Sequence, residues 1–253
     1  MIKLKTKEEI AILREGGKRL AAILQDLSSK VAPGVTTVWL DDEARRLISL
    51  GGDTPAFLNY RPKGARLAYP AALCVSVNDE IVHGIPSKYA LSEGDVVTLD
   101  LGICHKGLFT DSAITLGVGK ISSEAVDLIS RTQEALERAI AVALPGNHVG
   151  DIGQAVEDYI KPFGYGIVRD LSGHGVGFAV HEDPQVPNFG KAGAGETLVP
   201  GLVIAIEPMI TAGSAKTVLL DDEYTFVTKD KSLSAHFEHT IAITDGDPIV
   251  LTA

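Results

Sequence analysis

Four acidic residues stand where a lone carboxylate is costly: three within apolar stretches, and a fourth facing one of those three. Asp100 lies inside the apolar run Val96 to Ile103, Glu207 follows Leu202-Val203-Ile204-Ala205-Ile206, and Glu238 sits in Ala235-His236-Phe237-Glu238-His239-Thr240-Ile241. A charge in such a setting calls for a partner or a metal. Asp111 is tied to Asp100 by the hairpin pattern between them, because a turn centred on His105-Lys106 puts the two aspartates directly opposite one another. Opposed Cβ atoms are about 5 Å apart, where like charges repel. Either both aspartates face solvent, or the turn lies elsewhere, or a divalent cation bridges them. The apolar neighbours of Asp100 favour the cation.

A nitrogen donor is available in Ser172-Gly173-His174-Gly175-Val176-Gly177-Phe178-Ala179-Val180-His181-Glu182-Asp183-Pro184, where glycines flank the first of two histidines. Glycine there permits close backbone approach to a metal or substrate. His174 with Asp100, Asp111, Glu207 and Glu238 makes five ligands carrying four negative charges, a set suited to two divalent ions. Its Asp/Glu/His mixture points to Mn, Fe, Co or Zn rather than to a cysteine-based structural zinc site.

The elements that must position these residues follow from periodicity. Thr6 and Glu9 form a capping box, and apolar residues at helical spacing predict a helix over 7–29, then a second over 37–50 ending at Gly51-Gly52. Strands are expected at 73–77, 81–82, 96–99 and 113–116. Ser122 or Ser123 caps a third helix reaching about Leu144, and a fourth runs from about Val149 to Ile160. Pro33-Gly34 and Pro145-Gly146 precede apolar residues at the same offsets, which predicts an internal repeat of about 112 residues. The expected fold is α+β, one domain over 1–253 with halves of about 1–118 and 119–253, helices covering a mostly antiparallel sheet.

Composition narrows the function classes. The chain has 253 residues and a net charge of −10, so nucleic acid and anionic membranes are repelled. The N-terminal stretch has no apolar core of a signal peptide and no run is long enough to span a membrane, which predicts a cytoplasmic protein. Cys74 and Cys104, the two cysteines, are read as core filling in a reducing compartment.

Taken together, Asn78-Asp79-Glu80-Ile81-Val82-His83-Gly84-Ile85-Pro86, Asp100, Asp111, the two-histidine stretch, Ala205-Ile206-Glu207-Pro208-Met209 and Ser232-Leu233-Ser234-Ala235-His236-Phe237-Glu238-His239-Thr240 resemble the type I methionine aminopeptidases. The resemblance runs through nearly the whole chain in order. It implies the pita-bread fold, a dinuclear centre of divalent ions with Co, Mn or Fe favoured over Zn, and Asp100, Asp111, His174, Glu207 and Glu238 as ligands. It also implies that Glu207 manages the proton of the attacking water, that His181 stabilises the oxyanion or holds the substrate amide, and that His83 contacts the substrate and aids the leaving group. The implied substrates are N-terminal peptides of nascent polypeptides with a small second residue. A monomer that meets the ribosome transiently is expected.

The chain departs from the family in four places. The loop 55–70 is longer by about six residues, with Arg61, Lys63 and Arg66 in the extra part; Phe57, Tyr60 and Tyr69 are its pocket candidates. Val180 and Tyr224 replace residues that are often aromatic and tryptophan, and His236 replaces a common glutamine as either a partner of the site or a surface residue. His105 and His148 read as turn residues, and His239 as facing away from Glu238. Two rivals share the fold: an X-Pro aminopeptidase or dipeptidase, whose relatives carry an extra N-terminal domain, and a non-catalytic peptide-binding protein, whose relatives tend to lose ligands.

Overall fold

A computed structural model describes residues 2–62 and 64–253; Lys63, one of the loop's basic residues, lies outside the described residues. In chain order the elements are helices α1 (Lys7–Lys30) and α2 (Thr37–Gly51), strands β1 (Thr54–Pro55), β2 (Leu73–Val77), β3 (Glu80–Val82), β4 (Val96–His105) and β5 (Leu108–Gly117), and helices α3 (Ser123–Ala141) and α4 (Val149–Ile160). Then follow β6 (Gly166–Ile167), β7 (Gly173–Gly175), β8 (Glu182–Val186), β9 (Val203–Ile206), β10 (Met209–Thr211), β11 (Thr217–Leu219), β12 (Phe226–Thr228), β13 (Ser234–His236), β14 (Glu238–Ala242) and β15 (Ile249–Val250).

The helix starts are set by caps. Thr6 Oγ1 accepts from the Glu9 amide at 3.2 Å while Glu9 Oε2 accepts from the Thr6 amide at 2.8 Å, so the capping box forms as expected. Ser122 Oγ accepts from the Ala125 amide and caps α3. That helix ends at Ala141, short of the expected Leu144, because Pro145 disfavours helical backbone in the residue before it. Helix α2 stops at Gly52, whose φ of 75° is left-handed.

A nine-stranded antiparallel sheet runs β1-β4-β5-β14-β9-β7-β8, with β2 also on β4 and β15 on β14. Two three-stranded sheets, β13-β10-β6 and β11-β12-β3, pack beside it. Strands β4 and β5 span ten residues each, well beyond the expected 96–99 and 113–116. Their turn is Lys106-Gly107, both at positive φ (50° and 83°), the two-residue geometry that matches strand twist. The expected turn at His105-Lys106 is therefore displaced by one residue. Asp100 lies opposite Ala113 and Asp111 opposite Gly102, so the aspartates are diagonal rather than opposed. A shift of two in register keeps both on one face.

The opposite face carries the core. Leu99, Leu101 and Ile103 bury against the Leu20, Leu24, Leu27, Leu40 and Ile48 stripes of α1 and α2. Ile204, Ile206 and Ile241 bury among Leu128, Leu136, Ile152 and Val156 of α3 and α4. Among the described residues no helix is long and apolar enough to cross a membrane.

These placements separate two kinds of substitution. Leu101→Ala should cost roughly 2–5 kcal/mol of stability through the cavity it leaves. Gly107→Ala, whose Cβ points into open space at φ 83°, should cost only about 1 kcal/mol, from the left-handed backbone alone. Thermal unfolding of both variants checks this, and equal losses would contradict the turn assignment.

Candidate metal centre

Four of the five residues singled out from sequence lie on one face of the large sheet in two neighbouring rows, and the fifth, Glu207, directly follows one of its strands. The first row is Asp100 on β4, Ala113 on β5 and Glu238 on β14, each paired with the next. The second is Gly102, Asp111, Thr240, Ala205 and His174, crossing β4, β5, β14, β9 and β7. Thr240 joins Asp111 through its hydroxyl, which accepts from the Asp111 amide at 3.0 Å and donates to the Asp111 carbonyl at 2.7 Å. Glu207 follows β9 immediately, beyond the Ile206–His239 pair. Small residues alternate with the acids, so nothing separates the functional groups but space.

One ligand atom each from Asp111, His174 and Glu238 falls within 4.8 Å of the others. Glu207 Oε1 is 3.5 Å from His174 Nε2, and Asp100 lines the same cavity. His174 Nδ1 is 2.9 Å from the Gly175 carbonyl, which can only accept, so the proton sits on Nδ1 and Nε2 offers its lone pair to the cluster. Asp100 Oδ1, Asp111 Oδ1 and Glu238 Oε1 are buried without a hydrogen-bond partner. Orphaned carboxylate oxygens converging with an imidazole lone pair fit a divalent cation of the harder or borderline type.

Electrostatics say the same. Burial and the neighbouring carboxylates push Asp100 and Glu238 well above the usual carboxylate range. Asp111 is pushed up to about 7 by burial and Glu207, and Glu207 to about 8 by burial. Burial also lowers His174 to about 3 and His83 to about 4, the neighbouring His181 adding to both, and alone lowers His181 to about 4. The histidines are neutral and available as ligands or hydrogen-bond donors.

The glycines around His174 do a different job from the one expected. A Cβ on Gly173 would run into the Ala205 carbonyl and one on Gly175 into that of Asp183, while Gly177 (φ 135°) packs on Lys5. Gly173 and Gly175 admit the backbone of neighbouring strands, and Gly177 admits the Lys5 side chain. His181 lies just before β8, with its ring centroid 4.3 Å from that of His174. Its Nδ1 is 2.7 Å from the Tyr60 hydroxyl.

The pocket candidates Phe57, Tyr60 and Tyr69 all line a cavity of about 410 Å³ that opens onto the acids and the three histidines. Phe57 lies over Gly102, where a Cβ would sit 2.8 Å from its ring. Sequence reading missed four lining residues: Cys74, taken as plain core, and Pro62, Glu223 and Phe226. Phe226 meets His83 edge-on through the pairing of β12 with β3, a contact with no local signal. Tyr224 ties the loop down, donating to the Leu67 carbonyl at 2.6 Å, and Arg66 pairs with Glu223 at 3.0 Å.

Other histidines are elsewhere. His239 turns away and meets Thr252. His148 precedes α4 as its N-cap. His105 is not a turn residue: it ends β4, buried, with Nδ1 2.7 Å from Asp53. His236 is buried, not on the surface, with Nε2 3.5 Å from Glu207 Oε2.

A pita-bread α+β scaffold with a buried Asp/His/Glu cluster defines a metallopeptidase, and residues 11–245 match metallopeptidase family M24. The chain belongs to that family and is a metal-dependent hydrolase. Within it the chain is 46% identical to the methionine aminopeptidase of Clostridium perfringens over 252 residues, covering 100% of this chain and 99% of that one. It is 45% identical to the Aquifex aeolicus methionine aminopeptidase over 256 residues, covering 99% and 98%. The crystal structure of the Thermotoga maritima methionine aminopeptidase superimposes with a TM-score of 0.95 at 39% identity, covering 100% and 99%. The Pyrococcus horikoshii prolidase shares the fold at a TM-score of 0.78 and 21% identity, and this chain spans 63% of it.

The charge pattern gives metal-free protein an unusual pH dependence. A carboxyl protonated in the fold but ionised in the unfolded chain makes stability fall as pH rises through the gap between its two values. Buried neutral histidines oppose this only below about 6.5, where unfolded histidine titrates. From pH 6.5 to about 8 the carboxyls act alone: Asp111 up to about 7, Glu207 up to about 8, and Asp100 and Glu238, also raised well above the usual range, in the same direction. The melting temperature of metal-free protein should fall over that window, and added Mn²⁺ should raise it more at pH 8 than at 6.5, since binding displaces protons. A flat or rising metal-free curve would contradict the buried cluster.

Proposed function

We propose that this chain is a methionine aminopeptidase, removing the N-terminal methionine of new polypeptides whose second residue is small. The observation that carries the reading is the apolar cavity walled by Phe57, Tyr60, Tyr69, Cys74, Tyr224 and Phe226 and closed at one end by the carboxylate and histidine cluster. Its aromatic and sulfur lining matches the flexible thioether side chain of methionine. Full-length identity of 40–46% to named methionine aminopeptidases supports the same activity.

Asp100, Asp111, His174, Glu207 and Glu238 are the residues that would hold the metal. Four carboxylate charges exceed the charge of a single divalent ion, which supports two ions, and the family resemblance favours Co, Mn or Fe over Zn. Bound there, divalent ions would supply an acidified water as nucleophile and polarise the scissile carbonyl. The chain's own residues do the rest. Tyr60 and Tyr69, together with Phe57, hold the first side chain. The Tyr60 hydroxyl, kept as a phenol by burial, donates to His181 Nδ1 and so leaves the proton on Nε2, free to donate to the developing oxyanion or to the second-residue amide. His83, half-buried and neutral, donates to the substrate amide on the other side and aids the leaving group. Glu207, in a setting that raises its proton affinity, accepts the proton of the attacking water. The two unpaired cysteines, Cys74 and Cys104, support a reducing compartment, and we read the enzyme as a cytoplasmic monomer.

Hydrolysis of Met-Ala-Ser against Ala-Pro-Ala by metal-reconstituted protein tests the reading, with cleavage expected of the first only. Cleavage of the second instead would favour the X-Pro specificity, and cleavage of neither with metal bound would sink the enzyme reading. His181→Ala should lower kcat by about 10² or more with metal content unchanged, as for loss of one oxyanion donor. Metal lost on that substitution would mean that His181 is a ligand.

A further inference from the structure

His236 has no part in the set just described, yet its ring lies against it. The residue ends β13, is 1% exposed, and points Nε2 at Glu207 Oε2 across 3.5 Å. Neither Nδ1 nor Nε2 has a hydrogen-bond partner. The backbone of His236 is fixed independently: the Thr115 hydroxyl accepts from its amide at 2.9 Å and donates to its carbonyl at 2.6 Å. Pairing of His236 with Met209 on β10 sets its ring beside Glu207, two residues earlier in the chain.

Glu207 is thus straddled by two imidazoles. Oε1 faces His174 Nε2 and Oε2 faces His236 Nε2, each at 3.5 Å. The two contacts differ in kind. His174 spends its ring proton on the Gly175 carbonyl and turns a lone pair to the cluster. His236 has no such outlet, and an imidazole carries at least one N–H in every protonation state. A buried N–H without an acceptor is costly, and Glu207 Oε2 is the acceptor it faces. Contraction by a few tenths of an ångström, as catalytic contacts undergo on loading, makes this a hydrogen bond.

We propose that His236 is a positioning residue for Glu207: its Nε2–H donates to Oε2 and holds the carboxylate so that Oε1 stays on the His174 side of the metal site. The inference rests on the metal-centre reading above. Partners that orient a ligand in this way tune metal affinity as well as activity.

Cobalt binding by the full-length chain tests it, with the parent, His236→Gln, His236→Leu and His236→Met titrated with Co²⁺ calorimetrically and by the visible spectrum. The Leu and Met variants, which lack a donor, should lose about 10- to 100-fold in Co²⁺ affinity, while Gln, which keeps an N–H, should stay within about threefold of the parent. Leu and Met should also shift the cobalt band and lower kcat on Met-Ala-Ser with KM little changed, and Gln should restore both. Donor-free variants that match the parent in affinity and spectrum overturn the assignment. So does a Gln variant as impaired as Met, since that marks lost shape rather than a lost donor; Met and Gln decide the matter should Leu fail to fold. A parent that takes up no cobalt overturns the metal-centre reading itself, and this inference with it.

Discussion

Mutual repulsion among buried carboxylates is the constraint around which the molecule is built. Burial raises the proton affinity of Asp100, Asp111, Glu207 and Glu238, neighbouring carboxylates add to it at Asp100, Asp111 and Glu238, and no local preference would gather them. The register of one antiparallel sheet does so, with Asp100 and Glu238 on either side of Ala113 and Asp111 in the row shared with His174. The sheet tolerates this because its other face is apolar. Leu99, Leu101, Ile103, Ile204, Ile206 and Ile241 bury beneath four helices, a gain on the order of 10 kcal/mol that offsets the strain of the acidic face. A divalent cation turns that strain into binding energy.

The acidic face is shaped as much by small residues as by ligands. Ala113 and Ala205 put only a methyl group between the ligand-bearing strands on this face, and Gly102 lets Phe57 pack directly on the sheet as a wall of the pocket. Remote segments complete the enclosure. Tyr224 pins the loop that carries Tyr60, and Tyr60 in turn contacts His181. Lys5 reaches from the N-terminal segment to Glu182 at 2.6 Å, and Glu182 Oε1 accepts from the amides of Phe178 and Ala179. The turn preceding His181 is therefore held by a residue nearly at the other end of the chain.

The chain also separates groups that are adjacent in sequence. His236, Glu238 and His239 lie within four residues, yet one faces Glu207, one joins the cluster, and one turns to Thr252. A strand's alternation accounts for His239. The different surroundings of His236 and Glu238 come from a change of sheet at Phe237, between β13 and β14.

Much of the scaffold was legible from local pattern. The four helices follow from capping residues and apolar stripes, and the acids in apolar runs marked themselves as needing partners, since burial of a lone charge is costly wherever it occurs. The chemical character of the cluster was thus in the sequence: hard oxygen donors with one imidazole. Position was not. The one-residue displacement of the β4–β5 turn, which made Asp100 and Asp111 diagonal, depended on which dipeptide could adopt two left-handed residues within a twisted sheet. The packing of Gly173 and Gly175 on neighbouring carbonyls, the pairing of His105 with Asp53, and the approach of His236 to Glu207 all join segments far apart or on different sheets. Residue type sets what a side chain can bind, and is local. Which groups meet is decided by strand register and long-range pairing, which only the folded chain expresses.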